Sequence, residues 1–238
     1  MGVIAANMIP DLDSNTLKAM CILYRTYAYR QMLYEKKVKA INKFQVYRPI
    51  SYFKLIWINN YNYLFSKIEN AVDTTDKMFM SYNNSYIYPF IHITNNGSTD
   101  EDNEFSYLSR VESAWDYLSP YYMEIKELTV NQFARLLNVN KDDLDKVSID
   151  AITDGKRIKR IKVGEKVISG KDFKHLLNLK SEDNTIIINP HNIKIISRGY
   201  GNNLGLSQFG ANELGKSDCN YIQILKYYFP LCQLKKYL

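Results

Sequence analysis

The sequence predicts an α+β fold in which helices and short strands are intermixed in two lobes of one domain. Apolar residues recur at helical spacing near the N-terminus, and short alternating segments follow one another over residues 149–196. An alternating strand at residues 192–196 is followed by a helical segment at residues 221–228, which Pro230 ends. We expect residues 1–238 to form a single domain, with a break between its lobes near residues 118–120.

Two helical segments are predicted at the start of the chain. Residues 1–10 form a short apolar segment that ends at a proline, and the Asp-Leu-Asp-Ser sequence after it offers N-cap residues for a helix at residues 16–28. Lys18 and Arg25 are seven residues apart and share one face of that helix, beside the apolar face. A solvated charged face is the ordinary interpretation of such a pair, and a binding face is the alternative.

A glycine-rich polar stretch occupies residues 198–212. Glycine permits backbone conformations that side chains forbid, and it lets another molecule approach the main chain. The stretch lacks the dinucleotide-binding fingerprint and the lysine spacing of a nucleotide-binding P-loop, which excludes nucleotide binding here. A tight turn without a ligand and a binding loop remain open. The glycines are Gly199, Gly201, Gly205 and Gly210.

The charge of the chain favours an anionic partner. The formal net charge is +6 and the isoelectric point is about 9.0, which is compatible with wall glycan, a membrane surface or nucleic acid. The only dense basic run, at residues 156–162, alternates with isoleucine and is typical of a strand with lysines on its wet face. We therefore expect no nucleic-acid partner. No segment has the length and apolar character of a membrane span or of a secretory signal.

Metal and cofactor sites are not predicted. The three cysteines and the three histidines are widely spaced and form no pattern of metal ligands. Cys21 lies on the apolar side of its helix and is expected in the core, and all three cysteines are expected to be free thiols. We expect no cofactor and no metal.

Several ordered motifs resemble the stage II sporulation protein D family (SpoIID/LytB), which includes peptidoglycan lytic transglycosylases and amidase enhancers. The family begins with a pattern like Val-Val-Ala-Ala-Glu-Met-Pro, matched by residues 3–10, and continues with Leu-Lys-Ala…Ala-Arg-Thr-Tyr-Ala, matched by residues 17–28. Its closing motif, Gly-Arg-Gly-Tyr-Gly-His-Gly-Val-Gly-Met-Ser-Gln-Tyr-Gly-Ala, is similar to residues 197–211. Residues 89–97 and 169–181 also agree, so the resemblance covers nearly the whole chain.

Three residues depart from the family pattern. The catalytic glutamate of the family falls on Asn7, the histidine of its glycine loop on Asn202, and the glycine after that histidine on Asn203. In the family's lytic transglycosylases one glutamic acid protonates the glycosidic oxygen and then takes the proton of the muramyl C6 hydroxyl. An amide cannot titrate, so loss of this acid–base group, ordinarily worth ~10²–10⁴-fold, should nearly abolish turnover.

The resemblance implies a glycan cleft and assigns residues to it. Asn7 stands at the catalytic position, and the glycine loop is formed by Gly199, Gly201 and Gly205. The acidic stretch Asp100, Glu101, Asp102 and Glu104 is expected to be a solvated loop, with a replacement acid as the alternative. The glycan-binding residues implied are Lys18, Arg25, His92, Thr94, Tyr200, Asn202, Ser207 and Gln208.

Two functions are consistent with these motifs. The first is a degenerate family member that binds peptidoglycan glycan strands with little or no cleavage and positions a cell-wall amidase partner. The second is an active lytic transglycosylase that forms 1,6-anhydro-muramyl products. The resemblance also implies a location outside the cytoplasmic membrane. We expect the sequence to be shortened at its N-terminus relative to the family, so that contact with a membrane would be made only through an anchor that this sequence lacks.

Overall fold

The computed structural model describes residues 1–37 and 45–237, and within them it shows the predicted α+β class. The α-helices are α1 (Gly2–Asn7), α2 (Ser14–Glu35), α3 (Ile50–Ile56), α4 (Tyr61–Thr74), α5 (Val130–Leu137), α6 (Gly170–Leu176), α7 (Gln208–Lys216) and α8 (Tyr221–Tyr228). The strands are β1 (Met78–Tyr82), β2 (Ser85–Tyr86), β3 (Ile91–His92), β4 (Met123–Thr129), β5 (Val147–Ile152), β6 (Ile158–Val163), β7 (Lys166–Ser169), β8 (Asp183–Ile188), β9 (Asn192–Arg198), β10 (Leu206–Ser207) and β11 (Gln233–Lys236). None of the described helices is long and apolar enough to cross a bilayer.

The chain forms two compact units. The first contains residues 1–91, 101–111 and 204–238, and the second contains residues 92–100 and 112–203. Residues 118–120, near which the sequence predicts a lobe break, lie inside the second unit. That all residues form one domain stays a prediction.

The first unit is built around α2. Asp13 is the N-cap of this helix, as the sequence predicts, and its carboxylate accepts a hydrogen bond from the Asn15 amide at 2.7 Å. Half of the helix is buried, and α4, β1, α7 and α8 pack around it. Burial raises the pKa of the Cys21 thiol to about 12, as expected for a core cysteine. Strands β11, β1 and β2 form an antiparallel sheet against this helix.

The second unit contains two antiparallel three-stranded sheets, in the orders β4-β9-β8 and β5-β6-β7. Helices α5 and α6 supply Phe133, Leu137 and Phe173 to an apolar core, which also contains Ile161 of β6 and Ile195 of β9. The predicted strand series of residues 149–196 is confirmed, but α6 interrupts it. Ser169 starts α6 by capping it, because its hydroxyl accepts from the Asp172 amide at 3.0 Å.

Candidate functional site

Asn7 is the last residue of α1, and its side chain is bound to backbone. Its Nδ2 donates to the carbonyl oxygens of Val3, at 2.6 Å, and of Val46, at 2.7 Å. Its Oδ1 accepts from the Val46 amide at 3.1 Å. The amide group thus pairs with Val46 as a neighbouring strand would, and it links the segment at residues 45–49 to α1.

Two further contacts hold α1 in place. Gln208, at the start of α7, donates from Nε2 to the Asn7 carbonyl at 2.8 Å and accepts from the Ile9 amide at Oε1, at 2.9 Å. The Gln208 side chain therefore satisfies backbone groups at and just beyond the C-terminal end of α1, where helices leave carbonyls unpaired. The Arg48 amide donates to the Gly2 carbonyl at 3.5 Å, and a Cβ at position 2 would overlap that segment.

A groove of about 380 Å³ lies beside α1 in the first unit. Ala5 of α1 and Met8, which follows that helix, line it together with Trp57, Asn60 and Tyr63, which lie from the end of α3 to the first turn of α4. Pro10 and Leu64 add apolar lining. This volume falls within the ~300–1,000 Å³ typical of small-molecule sites.

Charged groups lie at the rim of this groove. Asp11 lines it, and the Asp11 carboxylate lies 3.8 Å from the Lys67 ammonium. The same ammonium lies 5.4 Å from the centroid of the Tyr63 ring. The groove therefore combines aromatic, amide and carboxylate side chains, and the Lys67 ammonium lies beside two of them.

The second unit holds a buried polar network around residues 94–98. Asp116, with no exposed surface, accepts at Oδ1 from the Thr94 hydroxyl at 2.6 Å and from the Asn95 amide at 3.3 Å. The Ser113 hydroxyl donates to the other carboxylate oxygen. Asn95 in turn accepts from the Gly97 amide at 2.8 Å. Asp116 thus fixes the start of this loop.

Arg157 fixes the other end of the loop. Its side chain is 1% exposed, and its guanidinium donates to Asn96 Oδ1 and the Ser98 carbonyl and pairs with Asp100. Burial lowers the pKa of Arg157, and the Asp100 carboxylate opposes that shift. A Cβ at Gly155 would overlap both charged groups, so a side chain there would displace this ion pair.

The predicted glycine loop packs closely on the same segment in the second unit. The Tyr200 amide donates to the Thr94 carbonyl at 2.7 Å, and the Ile93 amide donates to the Tyr200 carbonyl at 3.0 Å. Gly199 and Gly201 have φ angles of +86° and +140°, and a Cβ at either position would crowd the segment that begins at His92. The backbone amides of both glycines are already bound, to the carbonyls of Tyr122 and Lys180.

Comparisons with known proteins identify the family. A sequence model described as Stage II sporulation protein, SpoIID, matches residues 1–82. The chain is 30% identical over 250 residues to stage II sporulation protein D of Bacillus subtilis (strain 168), an alignment that covers 99% of this chain and 73% of the Bacillus protein. The chain belongs to the SpoIID family. The corresponding Bacillus amyloliquefaciens protein is 30% identical over 243 residues, with 96% and 71% covered.

A second kind of relative is also similar to this SpoIID-family chain. A protein named amidase enhancer, from Bacillus subtilis (strain 168), is 25% identical over 296 residues. The alignment covers 99% of this chain and 40% of that protein.

In this SpoIID-family chain Lys18 and Arg25, two of the three basic residues of α2, have intramolecular partners. The Arg25 guanidinium donates to the carbonyls of Thr75 at 2.5 Å, Val72 at 3.1 Å and Met78 at 3.2 Å, and so joins α2 to the end of α4. The Lys18 ammonium lies 5.9 Å from the centroid of the Tyr221 ring on α8. Their role in glycan binding stays a prediction.

The other predicted site residues are divided between the two units. Ser207, in the first unit, is buried and caps α7, because its hydroxyl accepts from the Gly210 amide at 3.2 Å. Thr94 and Tyr200 lie together in the second unit, with the buried His92, whose Nε2 lies 3.5 Å from Asn95 Nδ2. The remaining member of the set is Asn202, which is half-buried in the second unit.

Asn203 occupies a position that suits glycine. Its φ angle is +59°, which asparagine tolerates better than most residues. Its side chain is fully buried, and neither amide atom has a hydrogen-bond partner among the described residues. The left-handed backbone explains why asparagine stands there.

Two sequence expectations about charge need correction. Arg157 belongs to the basic run predicted for the wet face of a strand, yet it is buried, whereas Arg160 is 57% exposed as predicted. Asp100 is not a solvated acid, because it pairs with Arg157. Asp102 accepts from the amides of Glu104 and Phe105 and so closes a turn.

Sequence reasoning missed the groove residues Trp57, Asn60 and Tyr63, and it missed the burial of Arg157 and of Asp116. The aromatic density of residues 47–65 is a signal for the groove. Nothing local distinguishes Arg157 from its exposed neighbours. Within residues 1–37 and 45–237 no group of three His, Cys, Asp or Glu side chains is placed to hold a metal ion.

Proposed function

We propose that this SpoIID-family chain binds peptidoglycan glycan strands during sporulation or cell-wall remodelling and cleaves them little or not at all. The observation that carries the proposal is the state of Asn7. An amide cannot exchange the two protons that 1,6-anhydro ring formation requires, and its nitrogen and oxygen are committed to Val3 and Val46. The residue at the family's catalytic position thus acts as a structural link.

The charge of the chain supports a wall glycan as ligand. A net charge of +6 complements the lactyl carboxylates that muramyl residues carry along a strand. Near the glycine loop, the Lys180 ammonium lies 4.4 Å from the centroid of the Tyr200 ring. Tyr200 and Asn202, both half-buried, supply hydroxyl and amide groups of the kind that bind sugar hydroxyls, whereas His92 is buried and the Thr94 hydroxyl is bound to Asp116.

One observation favours the alternative, an active lytic transglycosylase that cleaves the bond between N-acetylmuramic acid and N-acetylglucosamine. Asp11 places a carboxylate in the groove beside α1. The side chain is 84% exposed, however, and a catalytic acid in this reaction needs a poorly solvated cleft that raises its pKa. The binding function is therefore the better supported of the two.

The names of the relatives support a protein partner and a biological process for the proposed function. One relative is named amidase enhancer, so a cell-wall amidase is the protein partner that we propose. Two relatives are named stage II sporulation protein D. We place the function outside the cytoplasmic membrane, on a full-length protein held there by a membrane anchor.

Retention on insoluble glycan tests the proposal. Purified strands stripped of stem peptides by an amidase should retain the protein, and retention should weaken as salt rises because charged groups contribute. Strands that keep their stem peptides, and cellulose, serve as controls. Equal retention on cellulose and on denuded strands, or none on either, would refute the proposed function.

A further inference from the structure

The groove beside α1 has the composition of a sugar site. Trp57 and Tyr63 present aromatic rings, and Asn60 and Asp11 present groups that donate to or accept from hydroxyls. Purely apolar side chains of a protein partner would leave these polar groups without bonds, whereas a pyranose ring offers an apolar face and a polar edge together. The groove is therefore better matched to a saccharide than to an apolar peptide.

The position of the groove also suits a polymer. Ala5 of α1 and Met8, which follows the helix, line the groove and lie on either side of Asn7 in the sequence. A glycan strand bound at the end of α1 must continue past the helix in at least one direction. The groove lies in the same unit and borders the same helix, so it can receive the next sugar of such a strand.

An ion pair of Asp11 and Lys67 lies beside the groove. Lys67 is mostly buried, with 17% of its side chain exposed, and it lies near both Asp11 and Tyr63. The Asp11 side chain is 84% exposed and the residue has a left-handed backbone with a φ angle of +54°. Its exposed carboxylate can accept two hydroxyl hydrogen bonds from one sugar ring.

We propose that this groove is a saccharide subsite that binds one N-acetylated pyranose of the glycan strand, stacked on Trp57 and Tyr63 and oriented by Asn60 and Asp11. The inference rests on the proposed function. It adds a place and a chemical class of ligand that the family motifs do not assign, because none of these four residues belongs to those motifs.

Two observables test the subsite. Tyr63 is 59% exposed, so Tyr63→Ala should leave the fold intact and weaken retention on denuded glycan on the order of fivefold to tenfold. Asp11→Asn, which tolerates the same backbone, and Asn60→Ala should weaken it as well. Tyr121→Ala, an exposed tyrosine of the second unit, is the matched control and should change nothing.

The second observable needs no loss of binding. The chain has two tryptophans, so its NMR spectrum contains two indole N–H signals. The signal of Trp57, assigned through Trp57→Phe, should shift saturably with a tetramer of N-acetylglucosamine, and that of Trp115 should stay unchanged.

The outcomes separate the two proposals. If the unmodified chain is retained on glycan, while Tyr63→Ala is retained equally well and the Trp57 signal stays fixed, the subsite is wrong and the proposed function stands. If the unmodified chain is not retained, both are wrong. A Trp57 signal that moves with an apolar peptide and not with the sugar also overturns the subsite.

Discussion

At the scale of single residues, the role of a side-chain group depends on the groups that the fold places next to it. The Asn7 amide replaces backbone pairing at the end of α1, using both of its nitrogen-bound donors and its oxygen. A glutamate there could accept from the Val46 amide but could not donate to the carbonyls of Val3 and Val46. The identity of this residue therefore affects local structure as well as chemistry.

Arg157 gives the first prediction at this scale. Arg157→Met removes the ion pair with Asp100 and the bonds to Asn96 and Ser98, and breaking a buried ion pair in this way costs ~3–5 kcal/mol. Arg160→Met is the matched control, because Arg160 pairs with Asp150 at the surface, where such pairs contribute ~0–1 kcal/mol. Urea denaturation followed by circular dichroism measures both. Equal losses would show that Arg157 does not organise the loop.

At the scale of elements, α1 is only six residues long and is stabilised by its neighbours. An isolated helix of this length is unstable in water. The segment at residues 45–49 and the Gln208 side chain supply the bonds that fix it, and both are distant from it in sequence.

Removal of the Gln208 amide should therefore loosen α1. Gln208→Ala loses two hydrogen bonds, and leaving their buried or half-buried backbone partners unpaired costs ~1–3 kcal/mol each at most. Amide hydrogen exchange should become faster within residues 2–9. Gln223→Ala, which removes an exposed capping contact on α8, is the control and should leave exchange in α1 unchanged. Unaltered protection of α1 in Gln208→Ala would contradict the assigned role.

The glycine loop gives a second prediction for an element. Gly205 has a φ angle of +65°, and a Cβ there would overlap the Phe90 carbonyl and touch the Phe229 ring. Gly205→Val should therefore lower the thermal midpoint, because left-handed backbone costs a β-branched residue ~1 kcal/mol or more before the overlap is counted. Ser148→Val, on an exposed strand position, should leave the midpoint nearly unchanged. A Gly205→Val protein that melts like the unmodified chain would show that the loop can rearrange freely.

At the scale of the whole molecule, local patterns predicted those elements that have a clear period. The helix at residues 16–28, the strand at 192–196 and the helix at 221–228 are confirmed in α2, β9 and α8. Helix α7 was missed because residues 208–216 contain two glycines and little apolar periodicity, and Ser207 starts it with a cap. Periodicity depends on the spacing of apolar residues within one element. It therefore does not reveal a helix such as α7, whose start is set by a capping residue.

The candidate site was less predictable than the fold, because its bonds are non-local. Asn7 bonds a residue 39 positions away, and Gln208 bonds backbone 201 and 199 positions away. Family motifs named these positions without indicating their contacts. The burial of Arg157 depends likewise on residues more than 50 positions away in the sequence, Asn96, Ser98 and Asp100.

The most direct test of the central claim, binding without cleavage, is mass spectrometry of denuded glycan strands after incubation with the protein. The unmodified chain should release no 1,6-anhydro-muramyl product while it stays bound to the strands. Asn7→Glu should recover some cleavage. Recovery should be partial because the glutamate loses the bonds that Asn7 Nδ2 donates to Val3 and Val46, and because Asn202 and Asn203 also depart from the family motif. Release of anhydro products by the unmodified chain would contradict the account.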